Sequence, residues 1–209
     1  MSSIFSDDGP ADGPLIVMAH GAGAGSDSDF MQQLTELLVA QGCRVVRFDF
    51  PYMLKRRADG KKRPPDRAPV LLQAFRQQVE ALAQPCVIAG KSMGGRMATL
   101  LAAEADCPEL VKGAAALGYP FHPPGKPESL RTAHLQQTLM PMLLVQGTRD
   151  AMGNREEVAG YALDPAIRLH WAEDGNHDLK PRKVSGFSQQ QHLQAAAEQL
   201  AQFTRALLC

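Results

Sequence analysis

Three residues in this chain have the types and the placement to do covalent chemistry together. Ser92 lies in Gly90-Lys91-Ser92-Met93-Gly94-Gly95, directly after the apolar run Pro85-Cys86-Val87-Ile88-Ala89 and before the helix-like stretch Arg96 to Ala105. A serine hydroxyl becomes a nucleophile only when a base takes its proton and its oxygen is held clear of the backbone. A sharp strand–turn–helix flanked by glycines presents it in that way, because bulkier residues would collide with the neighbouring strand and helix. Asp150 closes Gln146-Gly147-Thr148-Arg149-Asp150 after the apolar run at Met142, and His177 closes Glu173-Asp174-Gly175-Asn176-His177 after the run Ile167 to Ala172. In such a set His177 takes the proton from Ser92 and returns it to the leaving group, while Asp150 fixes the imidazole tautomer.

Gly90-Lys91-Ser92 also resembles the end of a phosphate-binding loop, Gly-x-x-x-x-Gly-Lys-Ser/Thr. That loop needs a glycine at position 85, which is Pro85, and four apolar residues then run straight into Gly90. No loop is left to cradle a phosphate.

The elements around these residues alternate between strand and helix. Leu15 to Ala19 is uniformly apolar, as expected of a strand buried on both faces. Phe30 to Gln41 has helical spacing and stops at Gly42, Cys43 to Phe50 is a strand, Pro51 to Pro69 is expected as loop, and Val70 to Ala83 is helical. Strands follow at Cys86, Val111 to Leu117, Met142 to Gln146 and Ile167 to Ala172, with helices after Gly94, over Arg155 to Tyr161 and over Ser188 to Leu208. The expectation is an α/β fold, a three-layer α/β/α sandwich on a mostly parallel sheet of six strands, without a large cap. Residues 1–14 are expected as a flexible N-terminus and 15–209 as one domain. In such sheets ligands bind beyond the carboxyl ends of the strands, which selects the loops at His20, Pro51, Gly90, Gly118, Gly147 and Asp174.

Those loops supply the remaining candidates. An oxyanion needs backbone donors: the N–H of Met93 at the head of the helix, and one from His20-Gly21-Ala22-Gly23, with Ala22 preferred and Gly21 next. His20, Lys91, Tyr119 and His122 are the candidate substrate-binding side chains, with His20 also placed to shape the oxyanion loop. Asp174 and Asp178 compete with Asp150 as the acid, and Lys91 competes with His177 as the base, although its place in a tight turn aims it elsewhere. The run Lys55 to Arg63 with Arg67 is a solvated loop or a field that steers an anionic substrate.

Bulk properties narrow the class. A chain of 209 residues with 44% hydrophobic and 21% charged residues suits one soluble domain. Zero formal net charge gives no global attraction to nucleic acid or acidic membranes, and no aromatics interleave the basic run. Cys43, Cys86, Cys107 and Cys209 are widely spaced, which fits reduced thiols and a cytoplasmic protein rather than a disulfide frame or a zinc site. The first fourteen residues lack a signal-peptide h-region, and nothing reaches membrane-spanning length. No metal and no organic cofactor are expected.

Several pieces together resemble a family. His20-Gly21-Ala22-Gly23, Arg47-Phe48-Asp49-Phe50-Pro51-Tyr52, Gly90 to Arg96, Gly118-Tyr119-Pro120-Phe121-His122-Pro123-Pro124, Gln146 to Asp150 and Asn176-His177 are similar to the small dienelactone-hydrolase-like branch of the α/β hydrolases. More narrowly, the Tyr-Pro-Phe-His-Pro-Pro piece with Leu130-Arg131 resembles bacterial relatives of the testis-expressed and chromatin-complex (NSL subunit) hydrolase-like proteins. The resemblance implies the Ser92, Asp150, His177 assignment and no settled substrate. Compared with larger hydrolases, the first antiparallel strands are expected to be absent, and Gly118 to Leu139 is too short for a large lid. The expectation is a serine hydrolase cleaving small or surface-presented carboxylic esters or thioesters, anionic ones included. A non-catalytic interaction module on the same fold is the competing reading, and an anion-binding protein using Lys91 and the basic run is a third.

Overall fold

The computed structural model describes residues 4–209. Strand β2 (Leu15–Ala19) lies between β3 (Arg44–Phe48) and β4 (Cys86–Lys91), both parallel to it, and the parallel set continues through β5 (Val111–Leu117), β6 (Met142–Gly147) and β7 (Ile167–Ala172). With β1 at Ile4–Asp8, the strand order is β1-β3-β2-β4-β5-β6-β7. Uniformly buried central strands make this possible, because each must bury both faces. In β2, Leu15, Val17 and Ala19 enter one hydrophobic layer while Ile16 and Met18 enter the other; Cys86 and Ile88 against Val87 and Ala89 do the same in β4.

One layer is closed by α1 (Asp29–Ala40) and the long C-terminal α6 (Gln189–Leu208), through Leu34, Leu38, Leu193 and Leu200. The other is closed by α2 (Pro51–Asp59), α3 (Ala68–Leu82), α4 (Met93–Ala102) and the short α5 (Arg155–Ala159), through Met53, Phe75, Met97 and Val158. Helix α6 starts at a reciprocal cap, in which the Ser188 hydroxyl accepts the Gln191 N–H and the Gln191 side chain accepts the Ser188 N–H.

Several expectations are corrected. The sheet has seven strands, not six, and an antiparallel strand expected to be absent is present: β1 (Ile4–Asp8) pairs with β3, within the segment expected to be a flexible N-terminus. Its alternation is poor because an edge strand needs backbone partners more than buried side chains. Its acidic residues find basic ones on β3, Asp7 meeting Arg44 at 2.6 Å and Asp8 meeting Arg47 at 3.2 Å. Residues 1–3 lie outside the described residues. The segment after β3, expected as loop, starts with α2. Pro51 sits at its first turn, where a missing N–H costs nothing, and Gly60 ends it in the left-handed region. Among the described residues no large cap covers the sheet: between β5 and β6 the chain carries one 3-10 turn, Ala133–Leu135.

Candidate active site

Ser92 stands between β4 and α4 with φ 51° and ψ −113°, a backbone state that side-chain-bearing residues rarely hold. Close packing enforces it. A side-chain carbon at Gly94 would fall on the carbonyl oxygens of Ala19 and His20, and one at Gly95 would come within 2.6 Å of Ala116. The turn therefore presses against β2 and β5, and the Ser92 side chain is pushed out at the carboxyl edge of the sheet.

Two further loops meet it there. His177 Nε2 lies 2.8 Å from Ser92 Oγ, and His177 Nδ1 lies 2.8 Å from Asp150 Oδ2. Asp150 is fully buried (0% exposed). Besides His177, its carboxylate accepts hydrogen bonds from the Gln146 amide at 2.9 Å and from the Met152 N–H at 2.9 Å. The loop after β7 is tied to the loop after β6: Asp174 N–H donates to the Thr148 hydroxyl at 2.8 Å and Arg149 N–H donates to the Gly175 carbonyl at 2.9 Å. The competing acids are engaged elsewhere. Asp174 is held by Arg182 and Arg149, and the hydrogen bond from Arg182 drives its carboxyl down to about 2. Asp178 faces Lys91 at 3.2 Å.

The loop after β2 brings its backbone to the same place. Gly21 and Ala22 line the cavity beside Ser92 and His177. The Gly21 carbonyl accepts from His20 Nδ1 at 2.7 Å and from the Tyr52 hydroxyl at 3.2 Å, and the Ala22 carbonyl accepts from Tyr52 at 2.9 Å. In a trans peptide the N–H points opposite to the C=O of the preceding residue, so the Ala22 N–H faces away from His20 and Tyr52. His20 is wholly buried. Its Nε2 accepts the Phe50 N–H at 3.1 Å, which leaves the proton on Nδ1 for Gly21. Burial holds His20 below the usual histidine range, as suits a neutral ring.

Of the four candidate substrate-binding side chains, only Lys91 reaches the cavity, and its ammonium group is bonded to the His177 carbonyl at 2.7 Å. The other three turn inward. His20 braces the loop after β2, as described. Tyr119 is buried against Phe121, with its hydroxyl donating to the Arg131 carbonyl at 2.7 Å. His122 is buried with Nδ1 2.9 Å from the Pro123 carbonyl and Nε2 facing Glu157 at 3.5 Å. A loop residue at this edge can face solvent or core, and the apolar pocket under 118–122 takes the aromatic rings.

Two residues that sequence reasoning passed over hold the site. Gln146 is fully buried at the end of β6. Its Oε1 accepts the Tyr119 N–H at 2.7 Å, and its Nε2 faces Asp150, the Gly153 carbonyl at 3.0 Å and the Tyr119 carbonyl at 3.2 Å. An amide closing the run Met142-Leu143-Leu144-Val145 was the visible signal, since a polar group there must be satisfied internally. The other is Tyr52, whose hydroxyl braces the loop at Gly21 and whose ionisation burial pushes far up.

The cavity holds about 600 Å³ and runs from Ser92 toward α1 and α6, past Phe30, Gln33, Lys180, Gln189 and Leu193. Three arginines of the basic run make structural contacts: Arg57 binds Asp27 and the buried Asp49, Arg63 binds Asp59, and Arg56 donates to the Gly23 carbonyl. Among the described residues there is no cluster of His, Cys, Asp or Glu fit for a metal ion, all four cysteines are free, and no helix is long and apolar enough to cross a membrane.

Comparison with known proteins agrees with this fold. The chain is similar in fold to a dienelactone hydrolase from Anabaena variabilis, with 22% identity over 96% of this chain and 89% of that one and a TM-score of 0.70. It is similar to a monoacylglycerol lipase from Paleococcus ferrophilus, with 16% identity over 96% and 99% and a TM-score of 0.71. It is also similar to Est1E from Butyrivibrio proteoclasticus, solved with ferulic acid bound, with 16% identity over 97% and 94% and a TM-score of 0.69. The family model of the alpha/beta hydrolase domain matches residues 12–205. With almost its whole length inside that model, the chain belongs to the α/β-hydrolase family.

Proposed function

We propose that the protein is a serine hydrolase that cleaves carboxylic esters or thioesters through an acyl-enzyme on Ser92. The observation that carries this reading is the continuous hydrogen-bonded chain Ser92–His177–Asp150, with both links at 2.8 Å and the carboxylate buried. Ser92 Oγ attacks the substrate carbonyl carbon while its proton passes to His177 Nε2. The developing imidazolium is stabilised by the Asp150 carboxylate, which stays ionised. The oxyanion is met by the N–H of Met93 at the head of α4 and by that of Ala22. Collapse of the tetrahedral species breaks the bond to the alcohol or thiol, which leaves with the proton from His177. Water then repeats the sequence at the acyl-enzyme, giving up its proton to His177 and releasing the acid.

The open edge and the lack of a large cap favour small or surface-presented esters over long acyl chains. The test is labelling of native protein, Ser92→Ala and His177→Ala with a fluorophosphonate probe, followed by p-nitrophenyl esters of rising chain length. Labelling of native protein alone, with turnover falling as the acyl chain lengthens, is expected. Native protein that resists the probe at neutral pH points instead to a non-catalytic member of the fold.

A further inference from the structure

We infer that Lys91 is a positioning residue: its ammonium group holds the backbone of His177 where the imidazole reaches Ser92. The inference rests on the hydrolase reading above and adds to it a part that neither the Ser92–His177–Asp150 chain nor the oxyanion loop supplies.

Lys91 is the last residue of β4, a strand covered on both faces, and immediately precedes the nucleophile. A cation there is desolvated and must find partners. Its Nζ donates to the His177 carbonyl at 2.7 Å, lies 3.2 Å from Asp178 Oδ1 and stands 5.3 Å from the centre of the Phe30 ring. Burial pulls the ammonium below the usual lysine range, and the Asp178 charge counters it.

The neighbouring loop is built around this contact. Gly118, at φ 63°, is the residue after β5, and a side-chain carbon there would come within 2.5 Å of the His177 carbonyl oxygen and 3.0 Å of Lys91 Nζ. Its lack of a side chain leaves the gap through which the bond passes. The contact also answers a mechanical need. His177 follows β7, the edge strand, whereas Ser92 follows the central β4. The link from Arg149 to Gly175 fixes the His177 segment to β6, and Lys91 fixes it to β4, so base and nucleophile are referred to the same strand end. With two acceptors on the His177–Asp178 segment, the ammonium group serves the protein's own backbone rather than a substrate anion.

The test compares Lys91→Met, Lys91→Arg and Asp178→Asn with native protein and Ser92→Ala. Substrates are p-nitrophenyl acetate and an anionic partner, the p-nitrophenyl monoester of succinate. Removing a charged donor should lower kcat for Lys91→Met by roughly 10- to 100-fold on both esters, with KM nearly unchanged. Lys91→Arg should regain part of the loss. Asp178→Asn alters an exposed carboxylate (62% exposed) and guards against a Lys91 variant that does not fold; it should cost about threefold in kcat, again on both esters. Loss confined to the succinate ester and expressed in KM would assign Lys91 to substrate binding and overturn the inference, as would native kcat in both Lys91→Met and Asp178→Asn. Either result, with Ser92→Ala inactive, leaves the hydrolase reading standing. Hydrolysis that persists in Ser92→Ala, or is absent from native protein, overturns both.

Discussion

Replacing Gln146 by leucine separates the support of the site from its chemistry. The side chain is fully buried and serves four partners, so leucine keeps most of the volume and removes every one of these bonds. The Tyr119 N–H, which now donates to Oε1 at 2.7 Å, is left unpaired inside the protein, at a cost of about 1–3 kcal/mol. Loss of the bond to the ionised Asp150 adds roughly 1.5–3 kcal/mol. The greater hydrophobicity of leucine offsets part of this, which leaves a net loss of about 3–4 kcal/mol, a large share of the 5–15 kcal/mol typical of a folded domain. With a urea dependence of about 2–3 kcal/mol per molar, the unfolding midpoint should fall by roughly 1–2 M. Turnover should fall about tenfold in protein that remains folded, because Asp150 keeps only two of its three donors. Gln146→Glu keeps the acceptor for Tyr119 but sets an oxygen against Asp150 Oδ2, so it should spare less activity than leucine does. A midpoint shift under about 0.5 M for leucine, together with turnover within twofold of native, would refute the assignment of Gln146 as the support of Asp150.

Two further perturbations follow from buried ionisable groups. Arg57→Met strands the buried Asp49 carboxylate, which otherwise keeps only the Ser26 N–H at 3.0 Å and a distant His20, and should cost about 3–5 kcal/mol in thermal or urea unfolding; adding Asp49→Asn in the same chain should recover part of it. His134 is driven down to about 4 by burial and by the charge of Arg96, so the unfolded chain takes up a proton that the folded one refuses. Stability present above pH 6.5 should therefore be lost as the pH falls toward 4, by on the order of 2 kcal/mol after allowing for partial exposure, and His134→Gln should flatten that part of the urea midpoint profile.

What the sequence made legible follows from how strongly each residue's surroundings constrain it. The strands Val111–Leu117 and Ile167–Ala172 have the bounds expected, and the central β2 and β4 stand out because burial on both faces leaves room only for apolar residues. The order of the three loops at the carboxyl edge is enough to bring Ser92, Asp150 and His177 together, since parallel strands deliver their ends to one side. Strand β1 was illegible because pairing with β3 is satisfied by its backbone and by Asp7 and Asp8 meeting arginines. Helix α2 was hidden by Pro51, which reads as a breaker until its place at the first turn is known. The direction of a loop side chain is the hardest quantity to read: His20, Tyr119 and His122 all lie near the edge, yet each is claimed by a hydrogen bond or an aromatic pocket beneath it.

The position of β7 at the border of the sheet has a consequence for how the protein fails. Only β6 pairs with it, and several of its residues are partly exposed, so its opening requires fewer broken contacts than separation of the central strands. His177 follows a strand with one neighbour in the sheet, whereas Ser92 follows β4, which is paired on both sides. Warming should first release the His177 segment in excursions that leave most of the sheet intact. Function would then decline, reversibly, over a temperature interval in which the global fold still persists.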